Sequence, residues 1–198
     1  MTSLLELILA GRGLTSKQAR QDFLKPDYAK SKHDPFLLPD MAAAVERLVQ
    51  ARQKQEKVTI YGDYDIDGLT ATTLLLDGLK SFGFESIDTF IPDRFREGYG
   101  LTVDAVERIA AAGANLIITV DCGSLSHKEI ERAGQLGVDV IVTDHHNVAA
   151  VQPPAVAVIN PKRLLADHPE AYDNFLLIAE PVSSHLYPFL DLAGVGVA

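Results

Sequence analysis

Apolar residues follow two regimes along the chain. Up to about residue 56 they recur at helical spacing. In AAAVERLVQARQKQEK, Val45, Leu48 and Val49, followed by Arg52, share one predicted helix face above a polar remainder. KPDYAKSKHDPFLLPD carries three of the ten prolines and reads as an irregular connector. From Val58 onward, short apolar runs alternate with amphipathic stretches. Strands are predicted at VTIY (58–61), IDTFIP (87–92), LIITV (116–120), VDVIVT (138–143) and AVAVIN (155–160). Helices are predicted between them. LTATTLLLDGLKSFG (69–83) places Leu75, Leu79 and Phe82 near one face. TVDAVERIAAAG (102–113) has Thr102 as N-cap, Val103, Val106, Ile109 and Ala110 on one face, and Gly113 as a stop. SHKEIERAGQLG (126–137) shows the capping-box spacing of Ser126 and Glu129 and ends at Gly137. Near-continuous apolar strands alternating with helices predict an α/β fold. Its parallel sheet is covered on both faces in three layers and preceded by an N-terminal helical arm.

The polar residues that follow these strands are not random. VTIY is followed by Gly62 and then Asp63, Asp65 and Asp67. LIITV is followed by Asp121, VDVIVT by Asp144, His145 and His146, and AVAVI by Asn160. Open parallel α/β sheets bind ligands at the carboxyl ends of their strands, so these groups are expected to converge. Crowded carboxylates stay ionised when cations sit among them, and carboxylates mixed with imidazole suit Mn²⁺ or a similar ion. Singly, each element has a plainer meaning. GDYDIDG also reads as a solvated turn or a calcium-type acidic loop, and a histidine pair as a hydrogen-bonded turn. Their joint occurrence at successive strand ends favours a shared cation site.

Composition narrows the picture. Eighteen basic against twenty-seven acidic residues give a net charge of −9 over 198 residues. That argues against a self-sufficient nucleic-acid binder, because phosphate affinity rests on Lys and Arg. It leaves room for an acidic core that meets phosphate through cations. The single cysteine, Cys122, excludes an internal disulfide framework and fits a reducing cytoplasm, where it is expected to be a small buried residue. No apolar run approaches the ~18–20 residues needed to span a bilayer, so no membrane partner is expected. The patch in MTSLLELILAGRG has no basic residue before it and is broken by Glu6. It predicts an amphipathic helix rather than a signal peptide.

Other motifs carry less. PDRFREGYGL (92–101) sets Arg94 and Arg96 beside two glycines and Tyr99, and reads equally as a phosphate or base contact and as a surface turn. Lys162 and Arg163 in NPKR have the same two readings, and His127 stands at a helix start. His33, His168 and His185 have no partner pattern.

GDYDIDG, IPDRFREGYGL, TVDCG, VTDHHN, VINPKR and LAGVGVA, in this order, resemble the DHH phosphoesterases. Within that family they are most similar to the RecJ-type single-stranded-DNA exonucleases. The likeness runs over about residues 40 to 163, resumes at 187 to 198, and is weaker in the arm. It implies a helical arm at 1–56, a phosphoesterase core at 57–163 and a connecting segment at 164–198. It also implies two Mn²⁺ or Mg²⁺ ions. Asp63, Asp65 and Asp121 match the positions around the first ion. Asp67, Asp121 and His145 match those around the second, with Asp121 bridging. His146 matches the catalytic position facing the scissile phosphate, and Asp144 one that orients the histidines. The implied activity is 5′-to-3′ degradation of single-stranded DNA in cytoplasmic repair and recombination, beside a helicase and single-strand-binding protein.

Two departures stand out. The family has a further metal-binding aspartate downstream of LAGVGVA, along with substrate-binding and OB domains. A chain ending at 198 is therefore expected to hold one ion better than the other. LLADHPEAYDNFLLIAEPVSSHL (164–186) is longer than the family's usual link, and Asp167, Asp173 and Asp191 are the candidate substitute ligands. Two alternative functions remain: a DHH phosphodiesterase for short oligonucleotides or cyclic dinucleotides, and an inactive DHH scaffold. The presence of every motif residue up to 146 weighs against the scaffold.

Overall fold

The computed structural model describes residues 3–167 and 187–198. His168, Asp173, His185 and most of the 164–186 segment lie outside them. The arm begins with α1 (Leu4–Gly11), closed by a capping box in which Ser3 Oγ accepts from Glu6 N and Glu6 Oε2 accepts from Ser3 N. It continues through α2 (Lys17–Leu24), α3 (Tyr28–Ser31) and a 3-10 turn at Pro35–Leu37, to α4 (Met41–Gln53). The rest of the chain runs β1 (Val58–Gly62), α5 (Ile66–Ser81), β2 (Ile87–Phe90), α6 (Val103–Ala111), β3 (Leu116–Val120), α7 (His127–Gln135), β4 (Asp139–Thr143), β5 (Ala157–Ile159), α8 (Arg163–Asp167) and α9 (Gly194–Val197).

The five strands form one sheet in the order β2-β1-β3-β4-β5, and every pairing is parallel. After β1 the chain steps outward to β2. It then crosses back over β1 to β3 and grows in the opposite direction. The point of reversal lies between β1 and β3, where such sheets open a crevice at the carboxyl ends of the strands. Strand alternation separates two cores. Val58, Ile60, Leu116, Ile118, Val120 and Ile141 pack beneath α4 and α5, with Ala44, Ala51, Ala71 and Leu79. Tyr61, Ile117, Val140 and Val142 pack beneath α6 and α7, with Ala105, Val106, Ile109, Ile130 and Ala133. The three-layer parallel α/β architecture is thus the one its apolar pattern predicts.

Differences from that pattern are local. The face of α4 that meets the sheet carries Ala44, Arg47 and Ala51, while Val45 and Val49 are 37% and 38% exposed. Polar anchors override the apolar stripe. Arg47 Nη2 binds Glu56 Oε2 and Arg47 Nε binds Asp139 Oδ2, each at 2.6 Å. At the other end of the helix, Asp40, at φ 55°, accepts from Val158 N at 3.0 Å and pairs with Arg163. Leu79 is buried as expected, whereas Phe82 stays exposed at the end of α5. Thr102 caps α6, its Oγ1 accepting from Ala105 N at 3.2 Å. Ser126 makes no side-chain cap on α7, because its ψ of 55° is far from the extended conformation a capping residue adopts.

Candidate metal centre

Asp63 leaves β1 directly into the crevice and is buried. Two glycines make that exit possible. A Cβ at Gly62 would stand 2.0 Å from Thr72 Oγ1, and one at Gly68 would stand 2.5–2.8 Å from the backbone N, C and O of Asp63. The first turn of α5 therefore presses against Asp63 itself. Asp65 is the N-cap of that helix, with Oδ1 accepting from Asp67 N at 2.9 Å and Gly68 N at 3.0 Å. This cap starts α5 at Ile66, three residues before the apolar pattern does. Asp67 points from the first turn toward α9, its Oδ2 accepting from Gly194 N at 2.7 Å and its Oδ1 from Val195 N at 2.8 Å.

Asp121, at the end of β3, occupies the left-handed region at φ 61°. Its N–H donates to Thr143 O, and Thr119 Oγ1 donates to Cys122 O, so the Asp-Cys-Gly turn is fixed from below. Cys122 is buried, as expected. After β4, Asp144 is nearly inaccessible. Its Oδ1 accepts from His145 N, His146 N and His146 Nδ1, and its Oδ2 from Ser124 N. Asn160, after β5, closes the floor by donating to Ser124 Oγ and His146 O. The Tyr99 hydroxyl lies 3.2 Å from His146 Nδ1, and the same loop sets the Arg94 guanidinium over the Tyr64 ring.

The expected site residues thus converge on one crevice. One ligand atom each from Asp63, Asp65 and Asp121 lies within 4.8 Å of the others, and so does one each from Asp121, His145 and His146. Asp121 belongs to both groups. Asp67 flanks the second, its Oδ2 3.7 Å from His145 Nε2. The donors fit a cation. Asp63 Oδ1 and Asp121 Oδ1 are buried, and neither has a hydrogen-bond donor among the described residues. His145 Nε2 approaches Asp121 Oδ1 to 3.0 Å without the geometry of a hydrogen bond. Buried carboxylate oxygens with no donor are costly unless a positive charge is supplied.

Asn160 lies at the site as its place after an apolar strand predicts, whereas Ser124 supports the site with little in the sequence to mark it as doing so. Of the two basic residues in NPKR, Arg163 is held by Asp40 and Asp167, while the backbone N–H of Lys162 donates to Asn160 Oδ1. That same ion pair occupies Asp167, and Asp191 belongs to neither ligand group among the described residues.

Electrostatics follows the geometry. Burial, reinforced by the charges of Asp67 and Asp65, pushes the Asp121 carboxyl up to about 7. Asp63 is raised as well, chiefly by burial. Burial also pushes Asp144 upward, but the hydrogen bonds from His146 and Ser124 outweigh it and hold that carboxyl at about 2. The hydrogen bond to Asp144 raises His146. In the unfolded chain Asp121 returns to about 3.8. The folded state therefore binds the proton more tightly, and metal-free stability falls as pH rises from about 4 through 7. Asp63 and His146, both raised on folding, act in the same direction. Asp144, lowered on folding, matters only in acid below about 4. The upper bound from Asp121 is about 4 kcal/mol. Melting of the chain in chelator should drop by several degrees between pH 5 and pH 8, and a flat or rising profile would contradict the burial of these carboxylates.

Comparisons with known proteins agree with this geometry. The chain is 38% identical over 198 residues to the single-stranded-DNA-specific exonuclease RecJ of Bacillus subtilis, covering 100% of this chain and 22% of that protein. It is 36% identical over 195 residues to the RecJ of Escherichia coli, covering 98% of this chain and 30% of that one. The chain therefore spans less than a third of the length of these relatives. Among solved structures, exonuclease RecJ bound to manganese superposes with a TM-score of 0.63 at 30% identity, over 84% of this chain and 37% of the other. RecJ from Thermus thermophilus in complex with Mn²⁺ gives 0.63 at 28%, over 97% and 23%. The model of the DHH family, N-terminal domain, matches residues 57–184, a span that takes in every strand end described above. By this match, the chain belongs to the DHH family.

Proposed function

We propose that this chain is the catalytic core of a metal-dependent phosphodiesterase that degrades single-stranded DNA from the 5′ end. The observation that carries the reading is the shared Asp121. One buried carboxylate serves two groups of potential ligands, each completed by residues from a neighbouring strand end. Asp63, Asp65 and Asp121 would hold one Mn²⁺ or Mg²⁺. Asp121 and His145, with Asp67 alongside, would hold the second. Bound there, such ions supply the Lewis acidity that polarises a phosphodiester and lowers the pKa of an attacking water. The names and metals of the RecJ relatives support the same substrate and ions.

The chain's own residues supply orientation and protons. Asp144 stays ionised through its four hydrogen bonds and fixes the His146 ring through Nδ1. That pairing favours the imidazolium, which presents an N–H donor to a phosphate oxygen in the crevice. The core spans 57–163, flanked by the arm of residues 1–56 and by 164–198, with α4 packed into one helical layer. The setting is the cytoplasm, where the lone buried cysteine needs no oxidised partner. A helicase and single-strand-binding protein, in repair and recombination, are the partners this reading assigns.

The test is calorimetric titration of the 198-residue chain with Mn²⁺, paired with digestion of 5′-phosphorylated single-stranded DNA and of dinucleotides. Metal binding with cleavage of long single strands supports the proposal. Preference for dinucleotides would redirect it to oligonucleotide hydrolysis, and absence of metal binding would overturn it.

A further inference from the structure

We propose that the segment Ala193–Val197 is a working part of the metal centre: its amides orient Asp67, and Gly194 is required because the space of its missing side chain holds the carboxylate of Asp121. This rests on the metal-site reading above and deepens it.

Two independent observations carry the inference. The first is the engagement of Asp67. Both of its oxygens accept from consecutive backbone amides, Gly194 N at 2.7 Å and Val195 N at 2.8 Å. These contacts fix the carboxylate plane beside His145. A carboxylate that accepts two N–H bonds is fixed in orientation and keeps further lone pairs available for a cation. The second is the contact at Asp121. A Cβ on Gly194 would stand 2.5 Å from Asp121 Oδ1 and 2.8 Å from both its Cβ and Cγ. Asp121 is confined by its left-handed backbone and its bond to Thr143, so it cannot yield easily. Any side chain at 194 would push this carboxylate away from Asp63, Asp65 and His145 at once. The segment is in turn anchored by Val197, which is buried in the core beneath α5. Gly196 marks the contrast. The nearest atoms to a Cβ there belong to the flexible Leu192 side chain, the first at 3.3 Å.

The experiment is Mn²⁺ titration by calorimetry on the 198-residue chain, with melting of the metal-free protein as the fold control. Gly194→Ala should weaken Mn²⁺ binding roughly 10- to 100-fold, the range for groups that orient metal ligands. Gly196→Ala, the same chemical change two residues on, should bind like wild type. Val195→Pro removes the N–H donated to Asp67 Oδ1 in a first-turn position that tolerates proline. It should also weaken binding, and it decides the matter should Gly194→Ala fail to fold. Wild-type affinity in a folded Gly194→Ala and in Val195→Pro, or equal loss in Gly196→Ala, overturns this proposal alone. No Mn²⁺ binding by the wild type overturns the metal-site reading, and this inference with it.

Discussion

Asp121→Asn is expected to make the metal-free protein more stable while removing its response to metal. The two effects have one origin. Asp121 is buried, its Oδ1 has no donor among the described residues, and the charges of Asp67 and Asp65 add to the burial that lifts it to about 7. An amide of the same shape removes the ionisation cost. Asparagine is also the right replacement for the backbone, since at φ 61° it is tolerated far better than alanine. For a chain of this size each kcal/mol moves the melting temperature by about 2–4 °C, so a gain of several degrees at pH 8 is expected. Because Asp121 belongs to both ligand groups, the same change should abolish Mn²⁺-induced stabilisation. Under the proposed function it should also cut cleavage of single-stranded DNA by roughly a thousandfold, the several kcal/mol a metal centre contributes. Melting with and without Mn²⁺ reads both effects in one experiment. Lower metal-free stability in the variant would mean that Asp121 is held by interactions other than those described.

The sheet and its functional edge were legible because both rest on strong, local signals. Ile117, Ile118 and Val120 belong to an apolar run bounded by polar residues, and such runs between helices leave little choice but a parallel sheet. Asp63, Asp121 and Asp144 were legible because topology brings the ends of adjacent parallel strands together. What escaped depended on shape and on distance along the chain. Val45 and Val49 look like a core stripe, yet Ala44 and Ala51 let α4 approach the sheet while Arg47 fixes its rotation. Ser126 and Glu129 have capping spacing, but the turn leaving Gly123 gives Ser126 the wrong ψ. The contact of Asp67 with Gly194 joins residues 127 apart, and no local pattern announces it. Ser124 is an ordinary loop residue until the fold sets its N–H on Asp144 and its hydroxyl under Asn160, a residue whose place after an apolar strand marks it.

The glycines of GDYDIDG give the sharpest test of how fold and site are coupled. Gly68→Ala should cost roughly 3 kcal/mol or more, at the top of the range for overpacking. The added methyl would stand 2.5 Å from Asp63 O, 2.7 Å from its N and 2.8 Å from its C, and backbone atoms cannot rotate aside as a side chain can. Relief requires α5 to move off the end of β1. That motion would separate Asp65 and Asp67, carried by the helix, from Asp63, carried by the strand. Loss of stability and loss of Mn²⁺ binding should therefore appear together. Gly78→Ala is the counterpart in the same helix. A Cβ there meets nothing within 4 Å, and replacing an exposed glycine within a helix by alanine stabilises by about 0.5–1 kcal/mol. Chemical denaturation of both variants checks the pair, with opposite signs expected. If Gly68→Ala were as stable as wild type, α5 would have to begin farther from Asp63 than described, and the convergence of the three aspartates would need a different origin.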